Sequence, residues 1–235
     1  MGAIFRKEIK AYFTSPIAYI FLAVFYIITG LLFVNSNIYA ATTDMTSVFT
    51  GVFTAMMILL PLLTMRLFAD EKKQKTEQCL LTAPVNLSEI VLGKFFAAIT
   101  LFILGMAIYA VYIIVLVGLA GTVAWPTVMC TLIALLLVGA CFISIGIFVS
   151  SLTENQIVSV IVSFFVILLF YMIDVFASKV TFIPLQKAMM ALGFYNRYYE
   201  FTTGILNIAS IIFFISVIAI FNFLTVRVLE KRRWS

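Results

Sequence analysis

Histidine is absent from the 235-residue chain, cysteine occurs three times, and Asp, Glu, Lys and Arg together make up 11% of it, against about 25% in a soluble domain. Without imidazole, and with Cys79 in a charged loop while Cys130 and Cys141 share one apolar segment, the sequence offers neither a metal cluster nor a disulfide framework. It also offers no nucleophile–base pair or paired carboxylates for chemistry at membrane depth. A phosphate-binding loop of the G-x-x-x-x-G-K-S/T type is missing: the single Gly-Lys pair, Gly93-Lys94, runs into Phe95. No repeated filter or ring of charge of the ion-channel kind occurs.

What the chain has instead is apolar residues, 64% of the total, with a mean hydropathy of +1.19. This is the composition of an all-α integral membrane protein. The spacing predicts six spans in a single domain over 1–235: Ile17–Val34, Val48–Phe68 (kinked at Pro61), Phe95–Leu119, Thr127–Val149, Ile157–Ile173 and Ile208–Val226. Before them, residues 1–16 hold a helix too short to span. Ile4, Phe5, Ile9, Tyr12 and Phe13 share about half of its wheel, Arg6, Lys7 and Lys10 the other half, and Glu8 alone breaks the pattern. Such a helix lies in the interface until Ser15-Pro16 turns the chain inward. A cleaved signal peptide is the competing reading, and the polar residues that follow the early charges argue against it.

The longest stretch that cannot sit in lipid is Met65–Lys94, which holds Arg66, Asp70, Glu71, Lys72, Lys73, Lys75, Glu77, Glu89 and Lys94. Thr76–Leu81 has room for about two helical turns before Pro84 stops it. Asn86 with Glu89 then predicts a capping box as the chain re-enters the membrane. The basic residues divide 12 to 3: three near the N-terminus, five in Arg66–Lys94 and four from Arg227 onward, against Lys179, Lys187 and Arg197. By the positive-inside rule both termini and the 66–94 loop are expected in the cytoplasm. The outward segment between spans five and six is broken by Lys179, Pro184, Lys187 and Gly193, so short interfacial or re-entrant helices are expected there, with Tyr195, Tyr198 and Tyr199 in an interface belt.

The opening FRKEIKAYFTSPIAYIF, the loop RLFADEKKQKTEQCLLTAPVNLSEIVLGK and the run NRYYEFTTGILN carry a resemblance to ABC-2-type transporter permeases, of the gliding-motility-like and nitrous-oxide-accessory kind. The loop matches the family pattern at Glu71, Thr76, Glu77, Leu80, Leu81 and Pro84. Lys75 stands where the family has glycine, a departure expected to make the turn before Thr76 more helical. The resemblance implies the membrane subunit of an ATP-driven exporter in the prokaryotic cytoplasmic membrane. Two six-span subunits, identical or homologous, would form the pathway, and each loop would supply a coupling helix to a separate ATP-hydrolysing subunit that binds the ATP and Mg. This chain itself is then no enzyme and holds no cofactor. The docking surface implied comprises Glu71, Lys72, Lys73, Thr76, Glu77, Leu80, Leu81 and Pro84, with Glu154 of the short inner link as a secondary contact. Asp174, Arg197, Tyr198 and Glu200 are candidates for the pathway or its outer gate.

Each of these features has a plainer reading. The loop can be a solvated topology determinant, Asp174 can sit at the interface, Glu154 can be merely solvated, and Gly139, Ser144 and Gly146 can be packing surface. A non-transporting scaffold subunit is the alternative function. Membrane lipid is an expected partner and nucleic acid is not, because the basic residues cluster at span ends.

Overall fold

Long apolar runs with no water to hydrogen-bond their backbone must be helical, and no strand occurs among the described residues. The computed structural model describes every residue except 77, 79–84, 121, 122, 178, 180, 181, 234 and 235, and of the side chains it also leaves out those of 120, 183, 185, 187, 188 and 191. In chain order the helices are α1 Gly2–Thr14, α2 Pro16–Phe33 continued by a π-helical turn Val34–Ile38, α3 Thr46–Thr64, α4 Arg66–Lys73, α5 Leu87–Met106, α6 Ile108–Ala120, α7 Trp125–Leu152, α8 Gln156–Ala177, α9 Ile183–Leu192, α10 Tyr195–Thr202 and α11 Ile208–Arg233.

Six runs are long and apolar enough to cross a membrane: Pro16–Ile38, Thr46–Lys73, Leu87–Leu119, Trp125–Leu152, Gln156–Ala177 and Ile208–Arg233. Two of them contain a break. At Met65 the helix of the second run stops and restarts, so what reads as one span to Phe68 is α3 followed by α4. At Ala107 the third run divides into α5 and α6. Pro61 lies inside α3, where its missing amide weakens the helix one turn before the first break.

The run that forms α7 lies at the centre, packed on α3, α4, α5, α8, α10 and α11. Small residues make that possible. A Cβ on Gly139 would overlap the Phe102 ring of α5, and one on Gly146 would overlap the Thr64 side chain of α3. The outer helices instead turn Ile27, Leu31, Ile161, Phe165, Ile212 and Ile220 outward, as lipid-facing surfaces do.

Candidate functional site

The charged residues that hydropathy assigns to a loop converge on a platform built from α1, α4, the first turns of α5 and the link between α7 and α8. At its centre Lys94 is only 1% exposed. Its Nζ lies 3.0 Å from Glu8 Oε1 of α1 and 3.0 Å from Glu71 Oε2 of α4, donates to the Leu67 carbonyl at 2.6 Å and sits 4.8 Å from the centroid of the Phe68 ring. Lys7 reaches the other Glu71 oxygen at 3.1 Å. Burial works against the charge on Lys7, but Glu71 and then Glu8 outweigh it and raise its pKa. Two cations and two carboxylates thus balance. A buried ion is tolerated on these terms, paired and with further hydrogen bonds.

Around this quartet the platform is tied at three further points. Arg66 donates to Ser15 Oγ at 2.7 Å and to the Ala11 carbonyl at 3.2 Å, placing a cation at the C-terminal end of α1, where the helix dipole favours it. The Tyr12 hydroxyl donates to the Leu63 carbonyl at 3.2 Å, and burial first, then the charge of Glu8, keep that phenol neutral by raising its pKa. Ser150 of α7 caps α4 from outside: the amides of Phe68 and Ala69 donate to its Oγ at 3.2 and 3.1 Å, and its hydroxyl donates to the Met65 carbonyl at 2.8 Å. The helix α4 has no cap of its own, and a serine from a neighbouring span supplies the missing acceptor.

The sequence-predicted docking residues fall in different places on this platform. Glu71 turns inward to Lys94 and Lys7. Lys72 pairs with Glu154 at 3.2 Å, and Gln156 donates to Asp70, so the two inner loops are joined. Lys73 and Thr76 are exposed. Glu77, Leu80, Leu81 and Pro84 lie outside the described residues, as does most of the expected Thr76–Leu81 helix. Asn86 does begin α5, but its side chain forms no cap bond, and Glu89 accepts instead from the Met1 amino group at 2.5 Å; the expected capping box is replaced by a tie to α1.

Lys75 corrects an expectation. Its φ is +56°, the amide of Lys75 donates to the Lys72 carbonyl at 3.1 Å and the amide of Thr76 to the Glu71 carbonyl at 2.9 Å. This is a Schellman ending of α4 with Lys75 in the left-handed position. The turn is therefore not made more helical, because the helix-ending bonds hold Lys75 in the left-handed form that favours glycine. The same ending closes α10, where Gly204 takes the left-handed position at φ +83° and its amide donates to the Phe201 carbonyl at 3.0 Å. A side chain in that conformation costs about 1–2 kcal/mol, part of which glycine returns through its freer unfolded chain. Lys75→Gly is accordingly expected to raise the thermal midpoint by one or two degrees, corresponding to about 0.5 kcal/mol, as read by thermal unfolding in detergent; a lower midpoint would refute the strain.

At the other end of the bundle the candidate gate residues act as joints. Asp174 is 5% exposed and lies inside α8, which runs on to Ala177. Its carboxylate accepts from the amides of Tyr195 and Asn196 at 2.8 and 3.3 Å and from Asn196 Nδ2 at 2.9 Å, capping α10. The Tyr198 hydroxyl donates to the Phe49 carbonyl at 2.9 Å, the Arg197 guanidinium lies 4.3 Å from the centroid of the Phe213 ring, and Glu200 accepts from Asn207 and Ser210 at the start of α11. Tyr198 is fully buried rather than in an interface belt. Among the described residues no group of three or more acidic or cysteine side chains could hold a metal ion.

Sequence reasoning missed Lys94 and Ser150. Glu8 was the available signal for Lys94: an acid on the apolar face of α1, between Ile4 and Tyr12 at four-residue spacing, requires a buried cation. Ser150 carried no comparable signal.

A protein-family model described as "ABC-2 family transporter protein" matches residues 2–234. A comparison with curated proteins gives no match.

Proposed function

The chain belongs to the ABC-2 family of transporter proteins, and from that premise we propose that it is one half of the membrane pathway of an exporter whose power stroke enters through the platform around Lys94. Membership makes it an integral membrane permease component that works with ABC ATPase subunits. In this reading Thr76–Leu81 presents the coupling helix, both termini and the platform face the cytoplasm, and a second six-span permease completes the pathway. ATP and Mg are held by the partner.

The observation that carries the reading is the platform itself. A mere topology loop needs charge but no fixed shape, whereas here α4 is bonded to α1, to α5 and to α7 by buried or half-buried contacts. Force applied beyond the α4 ending at Lys75 would reach three helices at once. The 12-to-3 division of basic residues supports a cytoplasmic position for this platform.

The test uses the segment beyond α4. Glu77 and Leu81 stand four residues apart and share a face if that segment is helical, so Glu77→Lys combined with Leu81→Asp places a reversed charge and a desolvated carboxylate across any docking interface. The double variant is expected to insert and to unfold at the wild-type temperature while losing at least tenfold in copurified ATPase and in transport-coupled hydrolysis. Wild-type values of both would leave the segment a solvated loop.

A further inference from the structure

We propose that the groove between α5 and α11, on the platform side of the bundle, is a binding site for one anionic phospholipid. The inference does not depend on what the chain transports. Val91, Leu92 and Phe95 form one wall, and Ile215, Ile218 and Ala219 the other. From Ile215 to Val226 the groove follows α11 for about 16 Å at 1.5 Å per residue, close to half of a hydrocarbon core about 30 Å thick. It therefore has the length of one leaflet's acyl chain and an apolar lining to match.

Its mouth has the opposite character. Asn86 and Ser88 at the start of α5 meet Glu230 and Arg233 at the end of α11, and Arg233 also overhangs the neighbouring hollow beside Met1, Ile4 and Glu89. Asn86, Leu87 and Ser88, which line the mouth, begin α5, and the dipole at a helix N-terminus favours an anion. Both carboxylates nearby are already engaged, Glu230 by Arg227 at 2.7 Å and Glu89 by the Met1 amino group at 2.5 Å. Arg233, in the last turn of α11, is the basic side chain that lines the mouth. A cationic mouth on an apolar trough one leaflet deep is complementary to a phosphodiester headgroup with its tail.

The experiment reconstitutes the full chain in nanodiscs of equal phosphatidylglycerol and phosphatidylcholine and counts retained lipids by native mass spectrometry. The wild type is expected to keep one phosphatidylglycerol in preference. Arg233→Gln should reduce the ratio of the two retained lipids about fivefold, the factor one basic residue near an anionic surface is worth. Lys231→Gln, a charge loss outside the lining of the mouth, should leave it unchanged. Ala219→Trp fills the trough and should remove the retained lipid of both kinds; Leu92→Trp, from the opposite wall, repeats the test if the first variant does not purify folded. An unchanged ratio in Arg233→Gln, an equal fall in Lys231→Gln, or a full complement of lipid in the filled groove would overturn the site.

Discussion

Lys94→Met is expected to lower the thermal midpoint of the detergent-solubilised protein by about ten degrees. The substitution keeps most of the side chain's bulk and takes away the cation, so Glu8 and Glu71 are left facing each other behind a protein wall with Lys7 alone to serve them. Breaking a buried pair by removing one partner costs about 3–5 kcal/mol, and each kcal/mol is worth about 2–4 °C in a chain of this size. The Leu67 carbonyl also loses its donor. Neutralising the acids as well, in Lys94→Met with Glu8→Gln and Glu71→Gln, is expected to recover most of the loss, because a neutral cluster carries no uncompensated charge. Thermal unfolding of the single and triple variants decides it: if the triple variant is no better than the single one, the network stabilises through packing and not through charge balance.

The same residues show why part of the site could be read from the sequence and part could not. Hydropathy fixes where apolar runs lie, since each must satisfy its own backbone in lipid, and the six membrane-length runs follow from that, though not the breaks at Met65 and Ala107. Where a charged residue near the end of a run actually sits is a different matter. Lys94 reads as the last wet residue before a span because its partners, Glu8 and Glu71, lie far away in sequence, and only the packing of α1 and α4 against α5 brings them together. Local pattern carries the helix endings better. The Schellman ending at Gly204 is signalled by its glycine, whereas the one at Lys75 is hidden by a side chain that the backbone accommodates at a cost. Asp174 reads as an interfacial acid because its acceptor role is defined by a helix that begins some twenty residues later. That helix follows Gly193 and Phe194 with no polar capping residue of its own, the one local sign that a cap must come from elsewhere.

The consequence of that borrowed cap is the second large effect. Asp174→Ala removes the acceptor for the amides of Tyr195 and Asn196 and for the Asn196 side chain, all in part-buried contacts. Hydrogen bonds to a charged group are worth about 1.5–3 kcal/mol each, and the donors left behind lose that stabilisation, so a fall of about ten degrees is again expected. Gly193 should report on the same joint by a different route. Its φ of −70° is open to any residue, so conformational freedom is not what it supplies. A Cβ there would run into the Asp174 carboxyl group, which has to approach the backbone this closely to reach the two amides that follow. Gly193→Ala must push the carboxylate aside and is expected to cost about as much as losing it. In the Asp174→Ala background the obstruction is gone, and adding Gly193→Ala should then cost less than about 0.5 kcal/mol. The two losses should therefore fail to add, a coupling that neighbours sharing one contact show and distant sites do not. Thermal unfolding of the four proteins measures the cycle, and hydrogen exchange at Tyr195 and Asn196 identifies the joint that opens. Additive losses would mean that Gly193 acts through something other than the capping carboxylate.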